Sequence, residues 1–251
     1  MRLLYQELRR VVYQRFWLLC LAGAVILGAL FPCTTLYNLD HVVVQLFGTP
    51  GIMYGLLLVM AMIVVPLGTD FSQRTFQQKI AQGNRRLSLT VVSFSISMLG
   101  AGGAALAFPI STILFTRIYC GLGTNQEQNF TYLLGDIRFY ACLLAYTVGL
   151  LAAGSLCFLI TSLCRDLVKS IGFSTGYIIL SVMLSQKAID LNTLGFLRPV
   201  FEWTPIYQLL INLRDVTISL SSFYILLLTS CVLIFVAVGV SFLVLRHAKL
   251  K

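Results

Sequence analysis

The chain has 251 residues, of which 58% are hydrophobic and only 11% charged, and its mean hydropathy is +0.89. Soluble domains carry about 25% charged residues because a solvated surface needs them, so most of this chain's surface must meet a non-aqueous solvent, which excludes a soluble enzyme. The net charge of +9 does not mark a nucleic-acid partner, because the basic residues sit at the ends of apolar blocks and not on one solvated face.

Met1–Arg15 carries apolar Leu4, Leu8, Val11 and Val12 at helical spacing, with Arg2, Gln6, Arg9 and Arg10 elsewhere on the wheel. That pattern predicts an amphipathic helix in the lipid headgroup region, against the alternative of a plain extension of the first span. The first span is read as Phe16–Leu36. It is too long for a signal-peptide core and lacks a small-x-small cleavage site, so it is expected to stay as an anchor. The second span is Gly51–Gly68, followed by a polar, helix-like connection, Thr69–Arg86, with Asp70 or Ser72 as the expected N-cap and Gly83 as the stop. The third span is Leu87–Phe115, which Pro109 is expected to kink or end. The fourth is Phe139–Leu163, the fifth Leu167–Leu184 and the sixth Ile218–Leu245. Each block has about the length needed to cross about 30 Å of hydrocarbon at 1.5 Å per residue. The expected fold is therefore one all-α membrane domain with six transmembrane helices.

Between the fifth and sixth spans, Gln186–Val216 is long and semi-apolar, broken by Pro199 and Pro205, and it contains Trp203 and Tyr207. A segment too broken to span yet too apolar for a free loop is expected to form a re-entrant or interfacial hairpin, whose backbone the protein must bury. Leu197–Leu210 is expected to dip into the outer leaflet, with Trp203 near the headgroups.

Orientation follows from Lys and Arg. Arg2, Arg9, Arg10, Arg15, Arg74, Lys79, Arg85, Arg86, Arg165, Lys169, Arg246, Lys249 and Lys251 share one side, against Arg117, Arg138, Lys187, Arg198 and Arg214 on the other. The richer side is expected to be cytoplasmic, with both termini there. Small residues recur every fourth position at Ser93, Ser97, Ala101 and Ala105 and at Ala141, Ala145, Gly149, Ala153 and Cys157. Such ridges let helices approach closely in lipid, and they are read as packing seams. The seven cysteines show no CxxC spacing. Cys33 and Cys120 both fall on the expected outer side, but sequence alone gives no distance between them.

Catalytic patterns are missing. No G-x-x-x-x-G-K-[ST] phosphate loop occurs, and the two histidines, His41 and His247, both lie outside the spans. All nine acids fall in connections or at span ends, so no buried charge is present to couple ion movement to transport.

The connection Asp70-Phe71-Ser72-Gln73-Arg74-Thr75-Phe76-Gln77-Gln78-Lys79-Ile80-Ala81-Gln82-Gly83-Asn84-Arg85-Arg86 resembles the loop after the second span of ABC-2-type permeases. Those proteins show an acid, an Arg–small–apolar turn, a basic position and a Gly-x-x-Arg ending. The short bacitracin, lantibiotic-immunity and sodium-extrusion permeases are the most similar in outline, and Phe201-Glu202-Trp203-Thr204-Pro205-Ile206-Tyr207 is similar to their external proline segment. The resemblance implies a permease subunit of an exporter in a bacterial inner membrane. It also implies a second permease copy or paralogue, a separate ATPase subunit that binds ATP and Mg, and no cofactor or enzymatic activity in this chain. It implies that 70–86 is the coupling helix, with Asp70, Phe71, Arg74, Thr75, Phe76, Lys79, Ile80, Gly83, Arg85 and Arg86 against the ATPase. Phe71, Phe76 and Ile80 are expected to be the apolar anchors in the partner's groove. An antimicrobial peptide, a lipid and a small drug all fit as cargo. The alternative is a membrane-embedded immunity or sensor protein that binds a peptide without moving it.

Overall fold

The computed structural model describes residues 15–34, 45–120, 137–190, 203–213 and 220–247. These residues are predominantly helical, with no strand among them. In chain order the helices are α1 (Arg15–Leu30), α2 (Thr49–Ser72), α3 (Thr75–Ala81), α4 (Arg86–Cys120), α5 (Ile137–Cys164), α6 (Leu167–Asp190), α7 (Pro205–Asn212) and α8 (Leu220–His247). One 3-10 turn, Phe31–Thr34, continues α1. Five of the helices, α2, α4, α5, α6 and α8, are long and apolar enough to cross a membrane. The chain is a multi-pass helical membrane protein. Residues 1–14 of the N-terminal helix expected over Met1–Arg15 lie outside the described residues, as does Pro199, and so do the side chains of Cys33 and Cys120.

Helix α2 is the hub. It packs on α4, α5 and α6, and it is the most buried of the five long helices. Helix α1 lies along α4, while α8 lies along α5 and touches α4. The outward faces carry Phe173 and Leu180 of α6 and Tyr224, Leu228 and Phe235 of α8, large apolar groups that would be unfavourable in water and suit lipid.

The small-residue ridges lie in the seams. Ala101 and Ala105 of α4 are fully buried, as are Ala145 and Ala153 of α5. Gly55 of α2 faces Tyr146 of α5 so closely that a Cβ there would overlap the phenol oxygen. That oxygen donates a 2.9 Å hydrogen bond to the Gly51 carbonyl. The missing side chain thus lets a buried hydroxyl find an acceptor on the neighbouring backbone, which an apolar interior requires. Other buried hydroxyls bond back to their own helix, as Thr161 does to the Cys157 carbonyl at 2.8 Å and Ser162 to the Phe158 carbonyl at 2.9 Å.

Several element bounds differ from expectation. Helix α4 runs through Pro109 without ending. Proline removes one N–H from the ladder, the partner of the Ala105 carbonyl, a loss that membrane helices packed among neighbours tolerate. Helix α2 extends to Ser72 and α6 to Asp190. Both carry polar residues beyond the apolar block, and hydropathy alone cut them short.

The short helix α7 packs against α5, α6 and α8. Leu209 fills the notch at Gly149, where a Cβ would lie 2.7 Å from it. Gly149 sits about 18 Å along α5 from Ile137, at 1.5 Å per residue. Gln208 is buried beside Thr229, whose hydroxyl donates to the Gln208 Oε1 at 3.2 Å. Thr229 lies about 14 Å along α8 from Leu220. Helix α7 is therefore wedged deep between longer helices, with Pro205 and Tyr207 buried and Trp203 68% exposed just before it.

Candidate functional site

Among the described residues, the turn between α2 and α4 carries a dense set of specific contacts at one end of the bundle. Helix α2 ends in Thr69, Asp70, Phe71 and Ser72, with the Thr69 hydroxyl donating to the Val65 and Pro66 carbonyls at 2.9 and 2.7 Å. The chain then reverses at Gln73 and Arg74. Arg74 has φ +56°, in the left-handed region, where a residue other than glycine is uncommon. Its carbonyl accepts from both Gln77 and Gln78 N–H at 3.1 Å, which starts α3. Neither Asp70 nor Ser72 caps α3, contrary to expectation. Both belong to the last turn of α2, and Arg74 takes the N-cap position without a side-chain bond. At the other end Gly83 adopts φ +89° and its N–H bonds the Ile80 carbonyl at 2.9 Å, the left-handed stop for which glycine is suited. The Asn84 amide donates to the Lys79 carbonyl at 3.0 Å.

Two contacts fold α3 back on α2. Lys79 Nζ lies 3.3 Å from Asp70 Oδ2, and both side chains are largely shielded, at 13% and 14% exposure. Phe76 is 1% exposed and Phe71 8%, with ring centroids 5.1 Å apart. This corrects the expectation that Phe71 and Phe76 seek a partner's groove: the chain buries both within itself. Ile80 is partly buried against the same core. Burying one such ring is worth roughly 1.5–3 kcal/mol, and the chain collects that gain without a partner.

The same end is tied to three further helices. The Ser72 hydroxyl accepts from the Leu167 N–H at 3.1 Å, joining the end of α2 to the start of α6. Asp166 Oδ1 accepts from the Lys169 N–H at 3.0 Å and caps α6. Arg86, which opens α4, places Nη1 3.0 Å from the Arg246 carbonyl and 3.5 Å from that of Leu245. A guanidinium there neutralises carbonyls that the end of α8 leaves without intrahelical donors. Arg86 is thus a tie to α8. Arg74 and Arg85 stay exposed, and Thr75 is half-buried with its hydroxyl enclosed.

Sequence reading missed the Ser72–Leu167 and Arg86–α8 ties, since nothing local marks contacts across 95 and 159 residues. It also missed the Gln208–Thr229 pair, although a glutamine inside an apolar run was a legible signal. Among the described residues, no group of three His, Cys, Asp or Glu is placed to hold a metal ion. The arrangement connects α3 along the chain to α2 and α4, and these in turn to α6 through Ser72 and to α8 through Arg86. No family model, curated protein or solved structure matches the chain.

Proposed function

We propose that the chain is the permease subunit of an ATP-binding-cassette exporter in a bacterial cell membrane. In this reading α3 is the coupling helix that passes the closure of a separate ATPase subunit to the spans. One observation carries it: a two-turn helix lies at the end of the bundle, anchored inward by Phe76 and by the Asp70–Lys79 pair and tied through Ser72 and Arg86 to four long helices. A joint that is rigid inside and open on its outer face is what force transfer between subunits needs. The basic bias puts α3 on the cytoplasmic side. Helix α1 with its 3-10 turn, about 24 Å plus about 8 Å, is long enough to be a sixth span. Helix α7 is the returning limb of a re-entrant hairpin opening to the outer side. Two permease chains, alike or paralogous, complete the transporter, and the cargo belongs to the antimicrobial peptides, lipids or drugs.

The test is a bulky block on the open face. Ala81 is exposed and opposite Phe76, so Ala81→Trp should leave insertion and thermal stability intact. It should displace a cassette ATPase subunit that co-purifies with the wild-type chain and abolish stimulated ATP hydrolysis in nanodiscs. If the wild-type chain holds no such ATPase but binds a peptide, the protein is instead an immunity or sensor component.

A further inference from the structure

The outward face of α3 has a definite chemistry, opposite in kind to its inward face. On a helical wheel Arg74, Gln78, Ala81 and Gln82 lie across from Phe76, and all four are exposed, as is Arg85 just beyond the glycine stop. Residues 73–86 contain no acid. Among the described residues, the carboxylates at this end, Asp70 and Asp166, are already committed, to Lys79 and to the first turn of α6. The side chains of Arg74 and Arg85 make no hydrogen bond or ion pair among the described residues, and the neighbouring Arg165, Lys169 and Arg246 add charge of the same sign. The strip therefore offers two guanidiniums, two carboxamides and one methyl group.

Two occupants could neutralise such a strip: anionic headgroups or a soluble acidic protein. Helices that lie on headgroups insert Trp, Phe or Leu beneath their basic residues. Here no large apolar side chain is exposed between Tyr54 and Leu87, because Phe71 and Phe76 are turned into the chain itself. The strip has nothing with which to enter the interface. Guanidiniums bind carboxylates in bidentate geometry, and exposed glutamines pair with side-chain or backbone polar groups.

We infer that the open face of α3 docks onto a carboxylate-lined, hydrogen-bonding groove of its soluble partner, held by Arg74 and Arg85 and not by apolar anchors. This rests on the coupling-helix reading and specifies the partner's surface: acidic residues spaced to meet both ends of a two-turn helix. Complementary charge of this kind steers encounter and makes association salt-dependent.

The experiment takes a cassette ATPase subunit that co-purifies with the wild-type chain and measures its binding to that chain and to an R74E/R85E double variant. Both chains are held in phosphatidylcholine nanodiscs and in nanodiscs containing phosphatidylglycerol. Both arginines are exposed, so the variant should keep its thermal midpoint. In phosphatidylcholine discs at low salt the double reversal should weaken binding at least about a hundredfold, roughly tenfold per reversed charge. The wild-type affinity should fall as salt rises, and the gap should narrow as the Debye length shrinks. Gln78→Leu should weaken binding or leave it unchanged. Equal binding by the double variant at every salt concentration, or tighter binding by Gln78→Leu, would overturn the acidic groove while leaving the coupling reading intact. A defect confined to phosphatidylglycerol discs would make the strip a headgroup surface and overturn it too. Failure of the wild-type chain to hold the ATPase at all would sink the coupling reading, and this inference with it.

Discussion

Truncating Phe76 separates two views of the α2–α4 turn. If the ring is an anchor awaiting a partner, the isolated chain should not feel Phe76→Ala. The structure says otherwise, because the ring is 1% exposed and packs on Phe71 with centroids 5.1 Å apart. Removing a buried phenylalanine costs about 3–5 kcal/mol, the lost transfer energy plus the cavity left behind. Helix α3 is only seven residues long, with the Lys79–Asp70 pair and the partly buried Ile80 among its other ties, so the loss should fall on its local opening and not on the whole bundle. At 1.4 kcal/mol per tenfold, even the low end raises the open population about a hundredfold. Lys79 reports this directly, because the closed helix shields it against Asp70. In nanodiscs without any partner, trypsin should cleave after Lys79 about a hundredfold faster in Phe76→Ala than in wild type, provided opening is fast relative to cleavage. Phe76→Leu should fall between the two. An unchanged cleavage rate at Lys79, with loss only of partner binding, would refute the self-anchored joint.

Two further outcomes are expected. Gly55→Leu should destabilise the detergent-solubilised chain by about 1–3 kcal/mol through overpacking against Tyr146, read as a lowered thermal midpoint; Tyr146→Phe should recover part of it, and an unshifted midpoint would mean that the two helices are not in contact there. Cysteines introduced at Gln82 and Lys249 should be labelled from one side of the membrane and one at Gln128 from the other, whereas labelling of Gln82 and Gln128 from the same side would overturn the orientation read from the basic residues.

Membrane character and helix placement were determined by the sequence alone, because they depend on local quantities. An apolar block of the right length has few alternatives once the solvent is hydrocarbon, which leaves backbone groups unsatisfied outside helices. The blocks at 51–68, 139–163 and 167–184 each sit inside an observed helix. Gly83 was legible as a stop for the same reason, since its left-handed φ is a property of one residue. The four-residue ridges on α4 and α5 were legible as faces, though not as to which partner each would meet.

What only the tertiary structure decided is where side chains spend their affinity. From sequence, Phe71, Phe76 and Ile80 were apolar groups in a polar stretch, and burial in another protein satisfied that description as well as burial in this one. The reversal at Arg74 brings Phe76 back onto Phe71 and Lys79 onto Asp70, turning the expected contact surface inside out and leaving arginine and glutamine on its face. The ties from Ser72 to α6 and from Arg86 to α8 join residues far apart in the chain, so no local pattern could announce them. Helix α7 shows the same division. Its prolines and apolar residues marked an unusual segment, but its depth was decided by the notch at Gly149 and the contact of Gln208 with Thr229, contacts that exist only once three other helices have packed.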